Sequence, residues 1–311
     1  EVKIDGRRAS KVLATKAAAQ AWGAQTELDA SNAVAGLLPN RTVGEALAKY
    51  GDEVSEHKRG ARWELLRLAA FARDYPHLAA LRMASLSTAD AAAWRDSRLK
   101  TCTQGTVRRE MNLLRHVWAV AAREWGWVKE NPWSVIKSPA DSPPRTRRVH
   151  WTEVRRICRN CGYVTGQTPK TKLAEVALAF LISLRTGMRA GEVLQLKPGT
   201  GAAVVYLERT KTEEGRVPVP LTPAGVRLMR QVPVWTLKSS TLDALFRKVT
   251  ARLLIDDLHF HDARAEALTL LSRRVDVLTL ARISRHKDLR ILQQRYYRET
   301  AEEIAGRLAR R

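Results

Sequence analysis

Cysteine is scarce in this 311-residue chain, with Cys102, Cys158 and Cys161 the only three. They are too few and too unevenly spaced for a disulfide scaffold, and an odd count suits a reducing compartment. Long apolar runs are also lacking. None reaches the roughly 20 residues of a membrane helix, and no basic start leads into a short apolar segment as in a secretory signal. The expectation is a cytoplasmic chain with no membrane partner. Acidic residues are in short supply, 32 against 54 lysines and arginines, for a net charge of +22. Because 45% of positions are hydrophobic, this basic excess does not come with the composition of a disordered chain. The length supports two folding units, and the charge favours a polyanionic partner, DNA or RNA before a membrane surface.

The chain starts at Glu1 and not at methionine, which reads as a fragment. A short alternating stretch, a turn at Asp5-Gly6 and an alanine-rich helix running on from Thr15 predict the end of a small strand-plus-helix module over 1–30. A weak linker follows around Pro39-Asn40. From 41 to 137 the periodicity is helical and predicts four or so packed helices. Its clearest stripe is Val107, Met111, Leu114, Trp118 and Ala121, with Arg108, Arg109, Arg115 and Arg123 pointing elsewhere. Residues 138–148, rich in proline and charge, read as an interdomain linker whose basic residues could touch a phosphate backbone, with a solvated tether as the alternative. From 149 to 311 a second unit is expected. It has a buried helix ending at Gly187, two strands (AVVYLE and RVPVPL) joined by RTKTEEG, and helices onward from Pro223. The fold class is mainly α with a small antiparallel β-sheet. The nine tryptophans fall mainly on helical faces, where core packing is the expected use.

Four stretches carry chemistry: TGMRAGEVL with Arg189, RTKTEEGRVPVPL with Lys211, LHFHDARAEAL with His261 and Arg264, and ISRHKDLRILQQRYYRET with His286, Tyr296 and Tyr297. Each alone has an ordinary structural explanation. Together they supply what phosphodiester transfer needs. Guanidinium forks at Arg189 and Arg264 stabilise charge growing on a phosphate's nonbridging oxygens. Lys211, on a strand turn, can protonate a leaving sugar hydroxyl. His261 and His286 can donate a hydrogen bond to the phosphate or assist proton movement, and a tyrosine oxygen can hold broken DNA as a phosphotyrosyl ester. No cofactor or metal is required. The lone C-x2-C of Cys158 and Cys161 lacks the further ligands of a zinc site.

The order Arg, Lys, His-x-x-Arg, His, Tyr resembles that of the tyrosine recombinases, the phage integrase family. The resemblance covers most of the chain. It implies a helical core-binding domain at 41–137 and a catalytic domain with a C-terminal tail at 149–311, forming a C-shaped clamp on DNA. Residues 1–30 resemble the end of an arm-type DNA-binding module. It also implies a homotetramer on two paired double-stranded recombination sites, strand exchange through a Holliday junction, and a DNA-bending or directionality factor as candidate partner. A bacterial, cytoplasmic, nucleoid-associated setting goes with it. Integration and excision of a mobile element is the expected role, with a DNA-inversion recombinase or a catalytically weak DNA-binding relative as the alternatives.

Three positions depart from the family pattern. Ala265 stands where a histidine usually follows the second arginine, and Arg285 stands where glycine usually precedes the later histidine. That arginine is expected to alter the turn or add a phosphate contact. The usual nucleophile position, nine residues beyond His286, is Arg295, with Tyr296 and Tyr297 next; Tyr296 is the favoured nucleophile and Tyr297 the alternative. Glu192 resembles an acidic residue that supports the first arginine. Asp262, at a helix start, is expected to satisfy backbone donors.

Overall fold

In the computed structural model all residues are described except 1, 5–6, 10–11, 13, 35–37, 142, 144, 200, 210–213, 298–301, 303–304 and 307–311. The chain forms two compact units that divide between Pro143 and Pro144, inside the segment expected to be a linker.

The first unit opens with strands β1 (Val2–Ile4) and β2 (Arg7–Ala9), antiparallel with Val2 opposite Ala9, and helix α1 (Lys16–Val34). Helix α2 (Val43–Tyr50) starts at a capping box. The Thr42 hydroxyl accepts from the Glu45 backbone N–H while the Glu45 carboxylate accepts from Thr42 N, so two otherwise orphaned donors are satisfied. One π-turn, Gly51–Ser55, leads to α3 (Ala61–Asp74) and the short α4 (Pro76–Ala80). Helix α5 (Thr88–Leu99) begins with a second capping box, Ser87 with Asp90. Helix α6 (Gln104–Arg123) buries Val107, Met111, Leu114, Trp118 and Ala121, the stripe its period predicts.

A one-turn helix, α7 (Pro132–Val135), plants Trp133 against Trp94 and Trp118 at ring-centroid distances of 5.2 and 5.6 Å, both edge-on. Arg115 corrects the expectation that it points away from the packed side. Its guanidinium turns inward and donates to the carbonyls of Trp133 (2.7 Å) and Ile136 (3.1 Å), tying α7 to α6. These acceptors lie about twenty residues on, beyond the reach of helical periodicity.

The second unit is built around α9 (Lys172–Thr186), in which most residues are buried. Before it comes α8 (Trp151–Asn160), and after it α10 (Ala190–Val193). Strands β3 (Val204–Arg209) and β4 (Glu214–Pro220) then pair antiparallel, Val205 opposite Val219, with an irregularity between Leu207 and Arg209. Helices α11 (Pro223–Met229), α12 (Ser239–Arg252), α13 (Asp262–Ser272), α14 (Val277–Ser284) and α15 (Leu289–Tyr296) follow. Helix α9 packs against α8, α10, α11, α12 and α13. Phe180 from α9, Phe246 from α12 and Phe260 form the aromatic centre of this core.

Three arginines of the expected linker lie on this unit. Arg145 binds Asp257 and Asp262, Arg147 binds Glu153, and Arg148 makes paired bonds to Glu266. Cys161 sits in the core and half-buried Cys158 packs against it, and burial pushes both thiols up to about 11. Among the described residues no cluster of three metal-ligating side chains occurs, and no helix is long and apolar enough to cross a membrane.

Candidate active site

Helix α9 must end where its chain turns toward Arg189, and Gly187 makes that possible by adopting φ +71 at the C-cap. A Cβ there would meet Leu268 Cδ2 at 3.1 Å. Two residues on, Arg189 caps the start of α10. Glu192 accepts from the Arg189 backbone N–H through Oε2 and from its guanidinium through Oε1, both at 2.8 Å. Burial by itself would raise the Glu192 carboxyl, but neighbouring Arg285 and the Arg189 bonds outweigh it and hold Glu192 below the usual range.

Arg264, in the first turn of α13, is 3% exposed. Its guanidinium donates to the carbonyls of Gly187 and Ser284, joining the ends of α9 and α14. Burial, then repulsion from Arg189, lowers it to about 10, so it remains cationic at neutral pH. Arg189 and Arg264 are therefore neighbours, at the starts of two helices that both pack against the buried α9.

His261 occupies the N-cap position of α13, but its ring makes no capping bond. His286 follows Arg285, which closes α14 in the left-handed conformation at φ +58, and its Nδ1 is 2.7 Å from Ser284 Oγ. Burial lowers both imidazoles, and the positive field of Arg264, Arg189 and Arg295 lowers them further. His286 falls to about 4. Both rings are neutral at pH 7 and can each donate one N–H to an incoming anion.

Tyr296 is the last residue of α15. Its phenol is raised by burial, against the opposing pull of Arg295 and Arg264, so it is protonated at rest. It lines a recess of about 190 Å³ with Arg145, Arg148, Ala265, Thr269 and Arg295. No described residue binds its hydroxyl. Tyr297, one position on, donates its hydroxyl to the Val275 carbonyl at 2.6 Å and packs beside Leu280 and Leu292. Lys211 lies outside the described residues.

Two expectations change at this point. Arg285 is 5% exposed and its guanidinium is turned into the protein, onto Glu192 and the Ile283 carbonyl, while its backbone makes the turn. Asp262 serves backbone only in part. It accepts from His259 N at 2.8 Å, and both its oxygens receive the Arg145 guanidinium at 3.0 Å. The sequence pattern gave Arg295 no role, and gave Arg145 only that of a linker residue able to touch a phosphate backbone. Arg295 announced itself only by occupying the position usual for the nucleophile, whereas Arg145 sat in a segment that looked like a linker.

The chain belongs to the phage integrase family, whose model matches residues 147–303, and with its relatives this makes it a tyrosine-type site-specific DNA recombinase. It is 35% identical over 295 residues to a Haemophilus influenzae protein assigned as an integrase/recombinase, covering 91% of this chain and 95% of that one. It is 32% identical over 286 residues to a shufflon-specific DNA recombinase of Escherichia coli, covering 86% and 71%. Among solved structures, the Tn1549 transposon integrase with transposon right end DNA matches with a TM-score of 0.68 at 13% identity, over 87% of this chain and 99% of that one. A lambda integrase tetramer bound to a Holliday junction matches with a TM-score of 0.62 at 15% identity, over 93% and 90%.

Proposed function

We propose that this recombinase cuts and rejoins double-stranded DNA through Tyr296 to integrate and excise a mobile element. The observation that carries the assignment of Tyr296 is the contrast between adjacent phenols. The Tyr297 hydroxyl is committed to a backbone carbonyl, while Tyr296 lines a recess with Arg295, in the field of Arg264.

In the first step Tyr296 Oη attacks the scissile phosphorus and forms a new P–O bond as the P–O5′ bond breaks. Arg189 and Arg264 hold the nonbridging oxygens as their charge grows, and His261 and His286 donate N–H bonds to them or carry the phenolic proton away. Lys211 gives a proton to the departing 5′-oxygen, which leaves as the 5′-hydroxyl. The phosphodiester bond is exchanged for a phosphotyrosyl ester of similar energy, so a 5′-hydroxyl from the partner duplex reverses the same steps without an external energy source. Residues 41–137 serve as the core-binding domain and 149–311 as the catalytic domain. A homotetramer on two paired sites, with a Holliday junction between the two strand exchanges, is the assembly this chemistry calls for. The lambda integrase tetramer on such a junction supports that reading.

The test is a pool of nicked suicide duplexes with varied core sites, in which cleavage releases a short 5′-hydroxyl fragment and traps the protein on DNA. A denaturation-resistant adduct mapped by peptide mass to Tyr296, and lost in Tyr296→Phe, is the expected result. An adduct at Tyr297 would keep the enzyme and overturn the nucleophile.

A further inference from the structure

Arg285 stands in a conformation that costs an arginine more than a glycine. It closes α14 at φ +58, where the Cβ of an L-residue crowds the backbone, and its guanidinium is taken out of water. Both features call for compensating interactions: the guanidinium donates to the nearby Ile283 carbonyl at 3.3 Å and to a charged partner, Glu192, 93 residues away. The same carboxylate binds the Arg189 backbone and guanidinium. One buried acid therefore lies between two arginines, one on the turn carrying His286 and the other the first phosphate-binding candidate.

We propose that Arg285 is a positioning residue for strand cleavage, acting through Glu192 on Arg189. This rests on the function proposed above. Two physical effects follow from the geometry. Arg285 donates to Glu192 Oε2, the oxygen that also accepts from the Arg189 backbone N–H, so the carboxylate is pinned and presents Oε1 to the Arg189 guanidinium in one orientation. Arg285 also takes up part of the acid's charge. With Arg189 as its only partner, Glu192 would neutralise that guanidinium; shared between two cations, it leaves the group with a net positive charge to offer a phosphate. Because Arg285 Nη2 meets Glu192 within the protein, the arginine touches no DNA in this role.

Glycine at 285 removes the guanidinium and relieves the strained φ in the same change, so a loss of cleavage in Arg285→Gly is not a consequence of backbone distortion. The experiment measures single-turnover adduct formation and binding on one nicked suicide duplex, for wild type, Arg285→Gly, Arg285→Lys, Glu192→Gln and the double variant Glu192→Gln with Arg285→Gly. Wild-type adduct formation is the control for the underlying function; its absence would overturn that function and not the role of Arg285. With the control in place, Arg285→Gly is expected to bind DNA within about threefold of wild type and to cleave at least about tenfold more slowly. Lysine is expected to restore part of the rate, as is methylguanidinium added to the glycine variant. The double variant is expected to be no slower than Glu192→Gln alone, because both changes break one linkage. Wild-type cleavage by Arg285→Gly would overturn the proposal, and so would a double variant whose loss equals the product of the two single losses. Should the glycine variant fail to fold, the lysine variant decides: full activity from its shorter, single-point cation would also overturn the proposal.

Discussion

At the scale of single residues, adjacent side chains of one type are separated by what their polar atoms touch. Tyr297→Phe deletes a hydroxyl that donates to the Val275 carbonyl, so it should lower stability by about 1 kcal/mol and leave adduct formation intact. Chemical denaturation alongside the suicide-duplex assay checks both halves. His286 sets a pH dependence of the opposite kind to that of an ion-paired histidine. Its native pKa is about 4 against an ordinary 6.5, so the unfolded chain binds the proton more readily. Its contribution to stability is complete above pH 6.5 and is lost as pH falls through the window to 4. Thermal melts of the DNA-free protein should therefore drop across that interval, and His286→Gln should flatten the drop. A melt curve that keeps its full slope in the variant would assign the effect to other groups. A bound phosphate offsets the arginine field, so cognate DNA should move the His286 titration upward, as seen by the imidazole's own NMR signal.

At the scale of elements, the ends of α9, α13 and α14 matter more to the site than their lengths. Gly187 shows why: it lets α9 stop in a left-handed turn, lies against Leu268, and gives its carbonyl to Arg264. Gly187→Ala adds a Cβ to both a positive φ and a tight contact, and should cost about 1–3 kcal/mol. It should also slow cleavage, because Arg264 must follow the displaced carbonyl; a denaturant midpoint and an adduct time course would show the two losses together. The helices themselves were legible in the sequence wherever a repeat signalled them. The stripe from Val107 to Ala121, the strand pair around RTKTEEG and Pro223 at a helix start are all local patterns that the structure reproduces. The order of the chemical residues was legible through family likeness. The second partners of Arg115, Arg145 and Arg285 were not, since each reaches across 18 or more residues to a carbonyl or carboxylate, and no local period encodes such a meeting. The linker illustrates the same limit: proline and arginine read as an interdomain segment open to a phosphate backbone, whereas Asp257, Asp262 and Glu266 hold Arg145 and Arg148.

At the scale of the whole molecule, charge is unevenly divided. Of 54 basic residues, 32 lie in Pro144–Arg311, which holds only half of the 32 acidic ones, so this unit carries most of the +22 excess. Several of its arginines are internally neutralised, as Arg145 and Arg148 are by their carboxylates, and those cannot release counterions from DNA. The remainder can. If the recombinase neutralises about 6–10 phosphates, its affinity should fall by roughly 10³ to 10⁵ between 50 and 200 mM salt, with log K linear in log salt. The cleavage step should respond differently. Arg264 and Glu192 are buried, His261 and His286 sit in a desolvated field, and screening by mobile ions acts weakly on such groups. With DNA held saturating at each salt concentration, single-turnover adduct formation should therefore change by only a few fold over the range in which affinity collapses. A cleavage rate that fell in step with affinity under saturation would mean that the phosphate-binding charges act from the surface, and would remove buried Arg264 from its assigned place in the chemistry.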